Sequence, residues 1–277
     1  MRLALEDSQV VMIDFQEKLM PVIADHQAIL DQAHLLAKVA KILGVPLWGT
    51  EQNPSKLGRN PQSWRGLCQE TLPKMAFSAC DEGLLECLKP APQAPQGNAR
   101  SLPKHLQKNT SSKVKDQIVI AGCETHICLL QTAIDLMQEE LEVWVVVDAT
   151  GSRKSKDKDA ALDRLAGAGA ELVSLEMLIF EWLGSAEHEH FKTIHQWVKW
   201  LLGKELFKKI ANKNDKKLIE PFIENEKIYR LWVLWSWSQC DKNAGYKVLL
   251  KLKGLNCRDS VPSKFLRLNS LKYDVLI

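Results

Sequence analysis

The sequence predicts an α/β fold, a three-layer α/β/α arrangement around a mainly parallel sheet, and three observations carry that prediction. Short β-branched apolar runs alternate with segments of helical apolar periodicity as far as about residue 183. The apolar runs are continuous rather than alternating, as strands buried on both faces require. Acids, a lysine and a cysteine stand at or just beyond the ends of those runs, where doubly wound, Rossmann-like sheets place their sites.

Gln9 to Phe15 (QVVMIDF) reads as the first strand and delivers Asp14 at its C-terminal end. Gln27 to Leu43 sets Ile29, Leu30, Ala33, Leu36, Ala37, Val39, Ala40 and Leu43 on a helical period, and Gly44 stops it. Val45 to Thr50 is a second strand, Lys74 to Phe77 a short third, and Asp81 to Leu88 a helix. Residues 88–116, rich in Pro, Gln, Ser and Lys, read as an exposed polar loop insertion. Gln117 to Ala121 is a strand, Cys128 to Glu140 a helix and Glu142 to Val147 a strand. Asp157 to Ala166 is a helix that Gly167 can end, Glu171 to Val173 a strand, and Met177 to Leu183 and Glu187 to Leu202 are helical.

With 277 residues, 45% of them apolar, the chain can bury a substantial core. Its net charge of +3 gives no whole-chain sign of a polyanion-binding surface. The charge is unevenly spread: residues 1–203 carry 21 basic and 26 acidic side chains, residues 204–277 carry 16 and 8. All three tyrosines also fall in the second part. This divides the chain into a domain over 1–203 and a basic C-terminal extension over 204–277 that contains Trp232, Trp235 and Trp237 and has no assigned structure. No apolar run reaches the roughly 20 residues of a membrane span. The seven cysteines are irregularly spaced and no secretory leader precedes RLALEDSQ, so a reduced, cytoplasmic chain is expected, with neither nucleic acid nor membrane as a partner.

The strongest local signal is Ile120 to Ala133 (IAGCETHICLLQTA): a strand, a tight turn, and a helix whose first residue is the thiol of Cys128. The positive end of a helix favours a thiolate, and unpaired N–H groups there can stabilise an oxyanion. The segment alone leaves two readings open, a nucleophile or a packed core thiol. Asp14 and Lys74, at other strand ends, are the types needed to manage a thiol proton; they equally suit a turn cap and a surface ion pair.

Taken together, VVMIDFQEKL, WGTEQNPSKLG, PKMAFSAC, IVIAGCETHICLLQTAIDLM, VWVVVDATGSR and EMLIFEWLGSAEHEHFK resemble the isochorismatase-like cysteine hydrolases, a family that includes nicotinamidases and carbamoylsarcosine amidases. The resemblance runs from about residue 8 to 200 and implies a catalytic triad of Asp14, Lys74 and Cys128. It further implies oxyanion-hole amides at Glu124 and Cys128, a non-proline cis peptide at Cys123-Glu124, and a substrate pocket at Phe15, Gln16, Glu51, Gln52 and Cys123. For Glu51 and Gln52, ordinary polar turn residues is an equal alternative.

The sequence departs from parts of that family. Nicotinamidases carry an Asp-x-His metal pair after the second strand, where this chain reads Trp48-Gly-Thr-Glu-Gln, so no metal and no cofactor is expected. True isochorismatases lack the nucleophilic cysteine, so Cys128 argues against that reaction. His188 and His190, two apart, do not share a helix face and are read as solvent-facing. The resulting expectation is a metal-independent cysteine hydrolase that cleaves a small carboxamide-type C–N bond through a thioester on Cys128, acts on a small molecule and self-associates. Its rival is a catalytically silent member of the same fold, a protein-binding or redox-responsive module with Cys128 oxidised rather than acylated.

Overall fold

The computed structural model describes residues 2–90 and 115–213, with side chains as far as Lys204. Residues 91–114 of the loop insertion and 214–277 of the C-terminal extension lie outside the described residues. The sheet belongs to the compact unit Met1–Leu206.

Six strands form one wholly parallel sheet in the order β3-β2-β1-β4-β5-β6. They are β1 Ser8–Ile13, β2 Leu47–Gln52, β3 Glu70–Lys74, β4 Gln117–Cys123, β5 Glu142–Gly151 and β6 Glu171–Val173. The chain winds outward through β2 and β3, then returns to the far side of β1 with β4. The strand order thus reverses between β1 and β4, and the C-terminal ends at such a reversal are where sheets of this kind bind ligands.

The helices are α1 His26–Ile42, α2 Pro54–Leu57, α3 Gln62–Arg65, α4 Leu84–Leu88, α5 Leu130–Gln138, α6 Ser155–Gly167, α7 Leu175–Leu183 and α8 Phe191–Lys213. The three-layer architecture follows from the strand periodicity of two. Val10 and Met12 of β1, Val119 and Ala121 of β4, and Trp144 and Val146 of β5 join one buried cluster with α1, α7 and the first part of α8. Val11 and Ile13, Ile118 and Ile120, and Val143 and Val145 join a second with α4, α5 and Leu165 of α6. Among the described residues, no helix is long and apolar enough to cross a membrane.

Several element ends differ from the sequence expectation: the last helix runs Phe191–Lys213 rather than Glu187 to Leu202, the fifth strand ends at Gly151 rather than Val147, and the helix expected from Asp81 begins at Leu84. Two further differences bear on the site. The third strand is Glu70–Lys74 rather than Lys74 to Phe77, so Lys74 ends the strand instead of beginning it. Pro73 disguises this strand, and it is tolerated because β3 is a sheet edge with only β2 beside it. The helix after β4 begins earlier than Cys128: Thr125–Leu129 is a π-helical turn, with Leu129 N bonded to Glu124 O at 3.3 Å, and α5 follows it. Cys128 therefore sits inside the first turn rather than opening the helix.

Gly122 is where β4 passes closest to β1. Its φ is +143°, and a Cβ there would lie 2.1 Å from the carbonyl oxygen of Ile13. Only glycine lets the two strand ends approach this closely next to Asp14.

Candidate active site

Asp14 follows the last residue of β1 in a left-handed conformation (φ +50°), which aspartate tolerates better than most residues. Its carboxylate is fully buried. Thr50 Oγ1 donates to Asp14 Oδ1 at 2.7 Å, and Lys74 Nζ lies 2.9 Å from Asp14 Oδ2.

Lys74 reaches this point because β3 runs in register with β2, pairing Lys74 with Gln52. Its ammonium donates to Gln52 Oε1 at 2.6 Å and to the carbonyl of Phe77 at 2.9 Å, with Ala76 O at 3.3 Å. Those three bonds engage the three protons of the ammonium, and Asp14 Oδ2 stands beside it as an ion pair. The loop after β3 is pinned from its other side by Glu82, whose Oε1 accepts from Met75 N at 3.0 Å and Ala76 N at 2.8 Å. Those two N–H bonds, that of Ala76 first, hold the Glu82 carboxyl below its ordinary range. Met75 and Phe77, 66% and 53% exposed, form an apolar rim to this loop.

Cys128 completes the group from the turn after β4, on the other side of β1 from β2 and β3. It is 6% exposed, with its Sγ 3.9 Å from Gln52 Oε1. Burial, and then the adjacent Asp14 carboxylate, push the thiol from 9.0 to about 12, against the opposing pull of Lys74. The sequence expectation is a thiolate favoured by the helix terminus; here burial and a neighbouring anion favour the protonated thiol.

The peptide Cys123-Glu124 is cis, as the resemblance implied. The turn that follows is tied to the end of β5. Thr150 Oγ1 donates to Gly122 O at 2.6 Å, which leaves Thr125 as donor in its 3.3 Å contact with Thr150. His126 Nδ1 lies 2.9 Å from Ser152 Oγ. Glu124 Oε2 accepts from both the backbone N and the Nε of Arg153, at 3.2 and 2.8 Å.

Asp14, Lys74, Cys128 and Gln52 thus converge. The remaining residues expected at the pocket are placed differently. Phe15 is buried in the core with its ring edge-on to Trp64, centroids 4.8 Å apart. Cys123 packs in the α1-side core with its Sγ 3.6 Å from Met20 Sδ, and burial raises its pKa. Gln16 and Glu51 act as braces. Gln16 donates to the carbonyls of Gln52 and Gly58 and accepts from Gln52 N, while Glu51 holds Asn60 N at 2.8 Å and Arg65 Nε at 3.2 Å. Residues adjacent in sequence at a strand end point to opposite sides, and position near a strand end cannot say which side. Arg153 was missed as a site residue; Thr50, at the end of the second strand, reaches Asp14 because it pairs with Ile13 in the sheet. Among the described residues, no three His, Cys, Asp or Glu side chains gather as a metal-binding group.

The profile of the isochorismatase domain matches residues 8–177. Isochorismatase domain-containing protein 2A of Mus musculus is 33% identical over 199 residues, covering 72% of this chain and 85% of its own. Among solved structures, the one titled MAR1 ribonuclease from Caenorhabditis elegans superposes with a TM-score of 0.60 at 27% identity, over 72% of this chain and 92% of that one. The YcaC gene product of Escherichia coli, described as an octameric hydrolase of unknown specificity, shares the fold with a TM-score of 0.59 at 19% identity, over 76% and 97%. The ordered strand ends, the parallel sheet and these matches lead to one conclusion: the chain belongs to the isochorismatase family.

Proposed function

We propose that the protein is a cysteine hydrolase that cleaves a small carboxamide-type C–N bond, with Cys128 as nucleophile and Asp14 and Lys74 as its partners. The observation that carries this reading is the fully buried Asp14–Lys74 pair standing beside a thiol at the sheet's reversal point.

In the reaction, Asp14 accepts the Cys128 proton as the sulfur attacks the substrate carbonyl, and the amides of Glu124 and Cys128 stabilise the oxyanion. Collapse of the tetrahedral adduct breaks the C–N bond. Asp14 returns the proton to the departing amine, which leaves an acyl thioester on Cys128. Asp14 then takes a proton from water as its oxygen attacks the thioester, and the thiolate leaves, is reprotonated and frees the acid. Lys74, its protons already committed, acts by fixing and balancing charge rather than by donating to substrate.

The thiol's environment also weighs against the redox-module reading. Sensor cysteines are accessible, whereas this one is 6% exposed and stands beside a buried carboxylate–ammonium pair that oxidation does not need. A buried thiol with a carboxylate base suits a carbonyl carbon rather than an RNA phosphodiester, so the ribonuclease title of the nematode neighbour is not carried over. The five described cysteines are free thiols, which fits the reducing cytoplasm we assign to the protein. Self-association is part of the same reading, supported by the octameric description of the E. coli neighbour.

The test is amine release from a panel of small primary and N-substituted amides by wild type and Cys128→Ser. Turnover that disappears in the serine variant supports the assignment. Turnover that survives it removes Cys128 from the mechanism.

A further inference from the structure

The sheet's reversal point divides the site into two sets of contacts. Among the described residues, the side-chain hydrogen bonds and ion pair that join Cys128, Asp14 and Lys74 to other side chains run to the ends of β1, β2 and β3. The end of β5 makes none of those contacts. It holds instead the three consecutive residues of the turn that precedes the nucleophile: Arg153 binds Glu124, Thr150 binds Thr125 and Ser152 binds His126. The first set handles the proton of the thiol. The second holds the backbone whose N–H groups would meet the oxyanion.

Within that second set the Glu124–Arg153 contact has the highest charge and the most direct bearing on the donor. The Glu124 side chain is only 8% exposed, and one of its oxygens takes both N–H groups that Arg153 offers it. Arg153 itself is 56% exposed, so its burial adds little to the core. A nearly buried carboxylate that loses its guanidinium partner keeps only the Arg153 backbone N–H and is left undercompensated, so the turn that carries it is free to shift toward solvent. The group that would move with it is the Glu124 N–H.

We propose that Arg153 is a positioning residue for the oxyanion hole: by clasping Glu124 it fixes the Glu124 amide toward the reacting carbonyl without touching substrate or Cys128. This rests on the cysteine-hydrolase reading above.

Two probes separate the roles. Alkylation of Cys128 by iodoacetamide forms no oxyanion, whereas acylation by p-nitrophenyl acetate does, and both are followed on the full chain by intact mass with Cys128→Ser as the site control. Arg153→Ala is expected to slow acylation by roughly 10- to 100-fold, somewhat less than deletion of an oxyanion donor, and to leave alkylation unchanged. Arg153→Lys, which keeps a cation on Glu124, should recover part of the loss. Equal acylation by wild type and Arg153→Ala overturns the proposal, as does a parallel fall in both reactions, which would mean a disordered site. Should Arg153→Ala fail to fold, Glu124→Gln weakens the same clasp and must show the same selective loss. A wild type that alkylates but never acylates overturns the hydrolase reading itself, and the inference with it.

Discussion

Asp14 Oδ2 lies 2.9 Å from Lys74 Nζ with neither side chain exposed to solvent, although 60 residues of sequence separate them. The pair forms because Asp14 follows the end of β1 and Lys74 ends β3, the two strands that flank β2. Two charges out of water are tolerated when each offsets the other and further bonds support them, here from Thr50 to Asp14 Oδ1 and from Lys74 to Gln52 Oε1 and Phe77 O.

Lys74→Met should therefore destabilise the fold as well as disable the site. Removal of one member of a buried ion pair leaves the other uncompensated, which costs about 3–5 kcal/mol. Chemical denaturation of the variant should give an unfolding free energy lower by that amount, with no acylation of Cys128. A stability equal to wild type would mean that the pair is not buried as described.

Asp14→Asn should separate thiol acidity from catalysis. The Asp14 carboxylate raises the thiol's pKa, so its removal lowers that pKa and enlarges the thiolate fraction. Alkylation by iodoacetamide near neutral pH should then be faster in the variant, while amide turnover is lost with the base. An alkylation profile that does not move toward lower pH contradicts the proposed contact.

Gly122→Ala should not be accommodated. Its Cβ would meet backbone of β1, not the end of a flexible side chain, at a φ that alanine avoids. The variant should be insoluble, or more than about 2 kcal/mol less stable by denaturant titration.

Stability should fall on the alkaline side. Burial raises Cys68 from 9.0 to about 11 and both Cys80 and Cys128 to about 12, so above pH 9 the unfolded chain loses thiol protons that the folded chain retains. The unfolded state then binds fewer protons, and unfolding free energy declines as pH rises through that window. Thermal midpoints measured upward from pH 8 should drop beyond 9. A flat profile would place these thiols in solvent.

The parts of this structure that were legible in the sequence are those written as unbroken patterns. QVVMIDF, QIVIA and EVWVVV identify the three central strands because burial on both faces leaves no polar alternation to confuse them. The edge strand ETLPK was hidden by its proline and its exposed positions, and the π-turn around Cys128 leaves no periodic trace in five residues. Asp14, Lys74 and Cys128 were identified through motifs in order, and their convergence required the strand order that the sheet supplies. Phe15, Gln16 and Glu51 show the limit: proximity to a strand end gives the neighbourhood, whereas the alternation of side-chain direction decides between pocket, brace and core.

The most direct test of the account is intact-mass spectrometry of the full chain during incubation with a panel of small amides and hydroxamates, comparing wild type with Asp14→Ala. The account predicts a transient acyl adduct on Cys128 and released amine in wild type, both absent in Asp14→Ala. Undiminished turnover in Asp14→Ala, or turnover by a wild type whose only acyl adduct lies on a residue other than Cys128, would contradict it.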